Sequence, residues 1–398
     1  MTNYNTTYLR DSTKKSFAER DTHVFSDKRL NAFVYENAYV LPYKETKDPC
    51  HIYAGVVSEK NEYLEQSAFH ENIGMGYSFS KKGVVTIDVP VIYLGVIENC
   101  WGHVITDALK KIWYIRTVEG NKLLQNGGGV IYVTRFNRPL ASHTIEILEL
   151  AGLDITKCVH IKEITKCNRL ILPDNSLYLS NGYRFYTQEF KEIIQLIQMN
   201  VQKKMAHTCL PIYDKLYFTR TKLNDWRDHG EASIEKVFKK KGFQIIAPEQ
   251  YSPTEQIYML MHCAEFATMS GSPAHSAEFC MKGTTFIDIR KADYWNTYQE
   301  VVNDLADLNV VLVDAHKSCM VKSNAPWGGP FFVYLTPEIK RYSGVVRFAL
   351  PLILRPSWLK YRYRNYLKEC YYNIRAKLGI KTKLKKIYSR IRLVRFYS

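Results

Sequence analysis

The chain has 398 residues, a length that fits two domains of ordinary size better than one hydrophobic core. The 29 tyrosines and 46% hydrophobic content favour packed apolar contacts and argue against intrinsic disorder. The formal net charge is +16, but residues 355–398 contain 14 Lys or Arg and one acidic residue, so this tail carries most of the charge. A near-neutral body disfavours nucleic acid as a partner, and a basic tail favours docking to an acidic surface.

The cysteines and the apolar runs indicate in which cellular compartment the protein is found. The nine cysteines are widely spaced and include no Cys-x-x-Cys pair, so neither a disulfide framework nor a zinc knuckle is expected. The first residues lack the apolar stretch of a signal peptide, and the longest apolar run, 348–354, is too short to cross a bilayer. These features predict a cytoplasmic protein, peripheral on the inner face of the membrane through its basic tail.

Apolar periodicity predicts the elements of the first half. Residues 1–80 are polar and mixed, and their short apolar patches predict edge strands. The elements predicted after them are a strand region at 84–96, a helix at 102–116, a strand at 130–133, a helix at 144–150, extended segments at 159–164 and 169–172, and a long helix at 186–204. This alternation predicts a mostly parallel sheet with helices on both faces.

A second alternation begins after residues 207–211, where Pro211 follows the end of the long helix. Its predicted strands are 216–219, 243–246, 265–269, 285–289 and 310–313, and its predicted helices are 233–241, 254–262, 273–281 and 294–305. We therefore predict an α/β protein with an acceptor-side domain at 1–205, a ligand-binding domain at 206–350 and a basic amphipathic tail at 351–398. Two such domains leave a cleft at the carboxyl ends of their strands, where ligands bind.

The segment from Asn99 to Asp107 is the first whose side chains suit catalysis or binding. It follows a strand and opens a helix that Asn99 is able to cap, with Trp101 in the first turn. His103 and Asp107 are four residues apart and share a helical face. An Asp beside a His holds the ring in one tautomer and raises its basicity. A helix cap with a packed Trp–His pair is the competing interpretation.

The loop after the strand at 216–219 is the second such segment. It carries Arg220, Lys222 and Arg227 at the carboxyl end of a predicted buried strand. Arginine suits a diphosphate there because its fork matches phosphate oxygens. A solvated loop is the competing interpretation.

Two helix starts complete the set. Glu255 and Gln256 lie in the first turn of an ordinary helix start. Ser270, Gly271 and Ser272 form a tight turn between a strand and a helix, where exposed amides and hydroxyls suit an anion. His275, in the first turn of that helix, adds a hydrogen bond or a positive charge. A plain strand-to-helix turn with a capping serine is the competing interpretation.

Three motifs are missing from the sequence. It contains no Asp-x-Asp, so a metal-chelated nucleotide is not indicated. It contains neither a phosphate-binding loop of the Gly-x-x-x-x-Gly-Lys-Ser/Thr type nor a Gly-x-Gly-x-x-Gly motif, so NTPase and dinucleotide-binding functions have no support.

The order of these segments resembles glycosyltransferase family 61, which includes bacterial capsular-polysaccharide transferases and eukaryotic O-linked GlcNAc and xylosyl transferases. The resemblance covers residues 84–315. The positions that match the family are Asn99, Trp101, Gly102, His103, Asp107, Tyr217, Arg220, Lys222, Arg227, Glu231, Gly242, Phe243, Pro248, Glu249, Ser252, Glu255, Gln256, Gly271, Ser272, Phe279 and Gly283. Gly230 and Ser270 depart from it: the family usually has Asn at the first position and often His at the second, whereas here a histidine, His275, follows later.

This resemblance implies a GT-B-like fold of two Rossmann-type domains and an inverting transfer from a nucleotide-diphosphate sugar, with a UDP-sugar favoured, without a metal or another cofactor. His103 or Asp107 would be the general base. Asn99 and Trp101 would lie on the acceptor side. The donor contacts would be Arg220, Lys222, Arg227, Glu255, Gln256, Ser270, Gly271, Ser272 and His275.

The expected partners are a glycan or lipid-linked glycan acceptor in capsular or surface polysaccharide synthesis and, through residues 355–398, an anionic membrane surface. Nucleic acid is not expected. A nucleic-acid-binding protein and an inactive scaffold, each using the basic tail, are the alternatives.

Overall fold

The computed structural model describes residues 2–46, 51–223, 228–317, 331–344 and 355–378. Its strands are β1 (Asn3–Tyr8), β2 (Ala32–Lys44), β3 (Ile52–Val57), β4 (Gly74–Met75), β5 (Val85–Ile87), β6 (Val91–Ile97), β7 (Gly129–Thr134), β8 (Cys158–His160), β9 (Thr165–Pro173), β10 (Leu177–Ser180), β11 (Tyr183–Tyr186), β12 (Lys215–Phe218), β13 (Asp228–His229), β14 (Gln244–Ile246), β15 (Glu265–Met269), β16 (Thr285–Arg290), β17 (Asn309–Asp314), β18 (His316–Lys317) and β19 (Phe331–Val333). Its α-helices are α1 (Asp11–Ala18), α2 (Trp101–Ile105), α3 (Val118–Gln125), α4 (Ser142–Leu150), α5 (Gln188–Met205), α6 (Glu231–Lys240), α7 (Pro253–His262), α8 (Ser272–His275), α9 (Thr297–Leu305), α10 (Pro337–Ser343) and α11 (Pro356–Leu378).

Six strands form a parallel sheet in the order β1-β17-β16-β15-β12-β14. Strands β12, β15, β16 and β17 are largely buried, as expected when helices cover both faces of a parallel sheet. The α/β alternation predicted for the second half is confirmed, with most ends within a few residues. The strand β1 joins this sheet beside β17, although it lies at the start of the chain. The domain boundaries at 205 and 350 stay predictions.

The other large sheet is mixed. Its order is β4-β3-β2-β9-β6-β7-β8, with β5 beside β9. Strands β6, β7, β8 and β9 are parallel, whereas the 13-residue β2 pairs antiparallel with both β3 and β9. The expectation of edge strands before residue 80 was therefore wrong for β2. Its residues 38–41 are buried because the strand has a neighbour on each side.

Helix α5 joins the two sheets. Gln198 Nε2 donates to the Phe279 carbonyl over 3.1 Å, and Asn200 Nδ2 donates to the Leu150 carbonyl over 2.8 Å. One cluster of buried apolar side chains contains residues of β6 and β12 together with this helix. Helix α5 therefore contacts segments that flank both sheets.

The helix predicted over 102–116 is interrupted. Helix α2 ends at Ile105, and the Thr106 hydroxyl donates to the Gly102 carbonyl over 2.7 Å. The turns that follow bring Lys110 Nζ to the Phe69 carbonyl at 2.7 Å and Lys111 Nζ to the Pro173 carbonyl. A regular helix gives way to a short 3₁₀ turn at Ile112–Arg116.

The C-terminal helix α11 packs on the small sheet of β13, β19 and β18 through Trp358 and Tyr361, which contact Phe332. Within the described ranges, every helix is too short or too polar to span a lipid bilayer. Residues 379–398 of the predicted tail lie outside the described residues.

Candidate active site

Two loops, one from each large sheet, meet where parallel strands end. The chain enters α2 after β6 and α8 after β15. Trp101 Nε1 donates to Ser276 Oγ over 2.8 Å. Gly102 lies so close to Ser272 that an added Cβ would be 3.2 Å from the serine hydroxyl oxygen. The segments around His103 and around Gly271, singled out separately from the sequence, are therefore neighbours.

His103 and Asp107 form a hydrogen-bonded pair. His103 Nδ1 donates to Asp107 Oδ2 over 2.7 Å. The imidazole is 30% exposed, whereas the carboxylate is 2% exposed. Because the ring proton faces the carboxylate, it sits on Nδ1, and the Nε2 lone pair is left to act as a base. The pair predicted from the spacing is present, although the helix itself ends before Asp107.

The carboxylate of Asp107 is held from several sides. Tyr298 Oη donates to its two oxygens at 2.7 and 2.8 Å, Lys110 Nζ lies 3.9 Å from Oδ1, and His70 Nε2 lies 3.5 Å from Oδ2. Burial alone would raise the pKa of Asp107, but its interaction with His70 and the hydrogen bond from His103 hold that pKa well below its usual value. Asp107 is therefore an anion suited to orient His103.

His275 lies buried at the end of α8, with its ring centroid 5.7 Å from that of Tyr298. Asn296 Oδ1 accepts from the Tyr298 N–H at 3.1 Å, so the amide nitrogen of Asn296 is the group that donates to His275 Nε2, also at 3.1 Å. The proton of His275 therefore sits on Nδ1, a buried atom with no hydrogen-bond partner among the described residues.

The charge state of His275 follows from its burial. Burial, with a smaller contribution from the charge of His103, lowers the pKa of His275 to about 3. The ring is therefore neutral near pH 7. The sequence offered two roles for His275. A positively charged imidazole does not agree with this burial, whereas a neutral hydrogen-bond donor does.

The turn between β15 and α8 has a special backbone. Gly271 has φ 120°, and a Cβ there would lie 3.3 Å from Lys291 Nζ. Glycine fits because it tolerates this conformation and lets the lysine approach. The Ser270 hydroxyl donates to Asp288 Oδ1 over 2.6 Å, so it is engaged with the sheet. Helices α2 and α8 have five and four residues, too few for the strong helix-end anion sites expected from the sequence.

Two cations converge on one carboxylate beside this turn. Arg220 Nη1 lies 2.7 Å from Asp228 Oδ2, and Lys291 Nζ lies 3.3 Å from both oxygens of Asp228. Their side chains are 11% and 6% exposed. Arg220 follows β12 and Lys291 follows β16, so both lie at the carboxyl edge of the parallel sheet, where ligands bind in such folds.

A cleft with ≈ 540 Å³ of space, open solvent included, borders the same turn. Its walls include Gly271, Lys291, Tyr294, Trp295 and Asn296. Asn296 also bonds to the histidine at the end of α8, so the cleft adjoins the imidazole cluster. Aromatic walls with a few convergent polar groups are typical of small-molecule sites.

Glu255 and Gln256 have local structural partners. Glu255 Oε2 accepts from the Ser252 N–H at 2.8 Å, and Ser252 Oγ accepts from the Glu255 N–H at 3.2 Å, which completes a capping box. Gln256 Nε2 donates to the carbonyls of Pro248 and Tyr251. The predicted helix start is confirmed, and a donor contact for either residue stays a prediction.

The other two predicted cations belong to the loop after β12. Lys222 is exposed in the turn that follows Arg220. An exposed lysine is screened by solvent and contributes little unless a ligand covers it. Arg227 lies outside the described residues.

Asn99 holds a neighbouring loop and does not cap α2. Its Oδ1 accepts from the Ala141 N–H and the Thr144 hydroxyl, both at 2.9 Å, and its Nδ2 donates to the Pro139 carbonyl at 2.9 Å. The N-cap position of α2 is Cys100, which makes no side-chain capping bond. The expectation that Asn99 caps α2 was therefore wrong, because its side-chain amide is hydrogen-bonded to the segment after β7.

Possible metal ligands occur together in the described part of the chain at His70, His103 and Asp107, whose ligand atoms lie within 4.8 Å of one another. Two imidazoles and a carboxylate form a set that binds transition metals. Two cations oppose this use: Lys110, near Asp107, and Arg184, whose Nη2 lies 3.4 Å from His70 Nδ1. Because Arg184 donates to that nitrogen, the His70 proton sits on Nε2, the atom nearest the carboxylate. The residues fit a hydrogen-bond network better than a metal.

Sequence reasoning missed several residues of this cluster, namely His70, Arg184, Lys291, Asn296 and Tyr298. Lys291 follows a predicted strand, as Arg220 does, and the rule that ligands bind at strand ends was enough to find it. Tyr298 lies in an amphipathic helix without a motif, and only the packing of that helix brings it to Asp107.

Residues 101–287 match the family model of Glycosyltransferase 61. The match begins two residues before His103 and includes Asp107, Arg220, Gly271 and His275. A comparison with curated proteins gives no match. The match over residues 101–287, a little under half of the chain, confirms the resemblance to glycosyltransferase family 61 seen in the sequence motifs and supports a glycosyltransferase.

Proposed function

We propose that this glycosyltransferase moves a sugar from a nucleotide-diphosphate donor, with a UDP-sugar favoured, to a hydroxyl of a glycan acceptor. The reaction inverts the anomeric centre and uses no metal ion. The observation that carries the proposal is the contact between two loops: one presents the half-exposed imidazole of His103, and the other borders the cleft beside Lys291.

The donor lies in the cleft at the carboxyl edge of the parallel sheet. Its diphosphate competes with Asp228 for Arg220 and Lys291, which lie within 3.3 Å of that carboxylate. Gly271 lets the backbone approach the phosphates closely. Fixed cations in a partly buried site stabilise the charge that develops on the leaving diphosphate, the task that a metal performs in other transferases.

His103 is the general base. Its Nε2 takes the proton of the acceptor hydroxyl while the acceptor oxygen bonds to the anomeric carbon and the bond from that carbon to the diphosphate oxygen breaks. The nucleoside diphosphate leaves with the electron pair. Asp107 is buried and keeps its negative charge, so it holds the ring and stabilises the imidazolium. A single displacement of this kind inverts the configuration.

We also propose a GT-B-like arrangement, with the acceptor on the side of Asn99 and Trp101. Two sheets with adjoining carboxyl ends support it. The acceptor is a glycan or lipid-linked glycan used for capsular or other surface polysaccharide.

Helix α11 supports a place on the inner face of the membrane. It packs on the body through Trp358 and Tyr361, while Leu359, Tyr363 and Tyr366 on its other face are 57%, 53% and 64% exposed. The exposed cations Lys360 and Arg364 lie beside them. Such a face suits an anionic lipid surface.

A thermal-shift screen tests the proposal. UDP, GDP, CMP and dTDP, each free and as its sugar, are added to the full chain, and the UDP series is expected to raise Tm most. Addition of EDTA is expected to leave that shift unchanged. A chain that responds to none of these nucleotides contradicts the proposal and favours an inactive scaffold. Anomeric configuration of the product, read by NMR, tests inversion.

A further inference from the structure

Tyr298 connects the two halves of the site through its hydroxyl. It belongs to α9, which follows β16 of the six-stranded parallel sheet, whereas Asp107 follows β6 of the mixed sheet. The hydroxyl lies 2.7 and 2.8 Å from the two carboxylate oxygens. Burial, reinforced by the charge of Asp107, raises the pKa of Tyr298 well above its usual value, so the hydroxyl keeps its proton and donates it.

The directions of the hydrogen bonds around Tyr298 follow from Arg184. A guanidinium only donates, so His70 Nδ1, 3.4 Å from Arg184 Nη2, is an acceptor. The His70 proton therefore sits on Nε2, which donates to the Tyr298 oxygen over 3.2 Å. Burial lowers the pKa of His70, which keeps the ring neutral. The hydroxyl proton of Tyr298 is thereby left for Asp107.

Arg184 also fixes the ring of Tyr298. Its guanidinium carbon lies 3.7 Å from the ring centroid, and both side chains are buried. A cation over an aromatic face is attracted to it, more strongly where water is excluded. Tyr298 is thus held by its ring and by its hydroxyl together.

We infer that Tyr298 is a positioning residue for sugar transfer: its hydroxyl clamps the Asp107 carboxylate so that His103 presents a bare Nε2 to the acceptor. The inference rests on the proposed function of His103. Asn296, at the start of the same helix, lines the donor cleft. The helix that borders the donor therefore also sets the orientation of the base on the opposite side of the site.

The variant Tyr298→Phe removes this hydroxyl and keeps the ring under Arg184. Tyr186→Phe is the matched control, because it also removes a buried hydroxyl that donates to a carboxylate of α9, Asp304, at 3.2 Å. Release of UDP is followed with the UDP-sugar that gives the largest thermal shift. We expect kcat of Tyr298→Phe to fall by about 10²-fold, the cost of a small misplacement of a catalytic group, with UDP affinity unchanged. Tyr186→Phe should keep the wild-type kcat.

Nitrogen-15 NMR of histidine-labelled protein gives a readout that does not depend on activity. His103, assigned through its loss in His103→Gln, is expected to carry its proton on Nδ1 in the wild type and in Tyr186→Phe, and to lose that preference in Tyr298→Phe. An unchanged His103 tautomer in Tyr298→Phe overturns the positioning role. If the tautomer shifts but the wild type binds none of the nucleotides, the positioning role stands and the proposed transferase function fails.

Discussion

His103 Nδ1 donates to Asp107 Oδ2 over 2.7 Å, across the turn where α2 ends. This bond leaves Nε2 as the exposed basic atom of the pair. Replacing His103 with alanine should lower kcat by about 10² to 10⁴, the usual contribution of a general base. UDP affinity, measured by calorimetry, should stay at the wild-type value because the cations proposed to meet the diphosphate, Arg220 and Lys291, follow β12 and β16 of the six-stranded sheet.

Asp107→Asn should lower kcat over a similar range, since an amide accepts poorly from Nδ1–H and the ring loses its orientation. The exposed His23, far from this cluster in sequence, supplies the control His23→Ala, which should leave kcat unchanged. Wild-type turnover in both His103→Ala and Asp107→Asn would place the base elsewhere.

Arg220 and Lys291 give a prediction about donor binding. A hydrogen bond to a charged group contributes about 1.5–3 kcal/mol, so loss of either side chain should raise the Kd for UDP by roughly ten- to a hundredfold. Calorimetric titration of Arg220→Ala and Lys291→Ala with UDP checks this. Lys157→Ala, which removes a side chain that is 83% exposed, is the control. UDP affinity that is equal in all three variants removes both cations from the donor site.

The glycine of the turn offers a matched pair of substitutions. Gly271→Ala and Gly283→Ala both place a Cβ on a backbone with positive φ, 120° and 84°, which costs about 1–3 kcal/mol of stability. The new Cβ at Gly271 meets Lys291 Nζ at 3.3 Å, whereas the one at Gly283 has no atom within 4 Å among the described residues. Both variants should therefore lose stability in urea unfolding, but weaker UDP binding is expected for Gly271→Ala alone. Equal UDP binding in the two variants would show that this contact has no bearing on the donor.

The second half of the chain was the more predictable part of the fold. Its strands are short apolar runs ended by glycine or polar residues, and β15 begins and ends where the pattern predicts. The break after Ile105 was not predictable from periodicity. Apolar residues keep helical spacing through residue 115, while the two buried lysines that divert the chain are satisfied by carbonyls distant in sequence, Phe69 and Pro173.

Some residues of the site were predictable from the sequence and others were not. His103 and Asp107 were found because a pair on one turn is a local pattern. Tyr298 was not found because its role exists only when α9 packs across to the other sheet. His275 was placed correctly beside the turn, but its neutrality depends on burial by neighbours that the sequence does not name.

Glu231 gives a prediction for pH-dependent stability. Its buried carboxylate accepts from Tyr217 Oη at 3.1 Å and from the Arg220 N–H at 3.2 Å. Burial raises its pKa from 4.5 to about 7. Between these values the folded chain keeps a proton that the unfolded chain releases, so this group's contribution to the unfolding free energy falls as pH rises, by about 1.4 kcal/mol per pKa unit.

Glu231→Gln removes this titration and keeps a carbonyl acceptor. Urea unfolding at pH 5 and pH 8 should show the variant gaining stability over the wild type as pH rises. Glu249→Gln, at an exposed carboxylate in the neighbouring segment, should track the wild type at both values. A Glu231→Gln variant with the same pH dependence as the wild type contradicts the raised pKa.

The exposed face of α11 predicts binding to anionic lipid. A cation near such a surface contributes about 1 kcal/mol, so Lys360→Gln together with Arg364→Gln should weaken binding by roughly thirtyfold. Both side chains are exposed and lie opposite the face that Trp358 packs on the body, so the fold should survive their loss. Co-sedimentation with phosphatidylserine-containing vesicles measures the effect, and phosphatidylcholine vesicles give the uncharged comparison.

The same number of charges removed elsewhere separates a local face from overall charge. Lys82→Gln with Lys157→Gln lowers the net charge equally at exposed positions outside the tail. If docking occurs through α11, this control should keep most of the binding, because attraction decays within a Debye length of about 10 Å at 0.1 M salt. Equal losses in the two double variants would mean that net charge alone drives adsorption. Equal binding with and without residues 355–398 would remove the membrane role of the tail altogether.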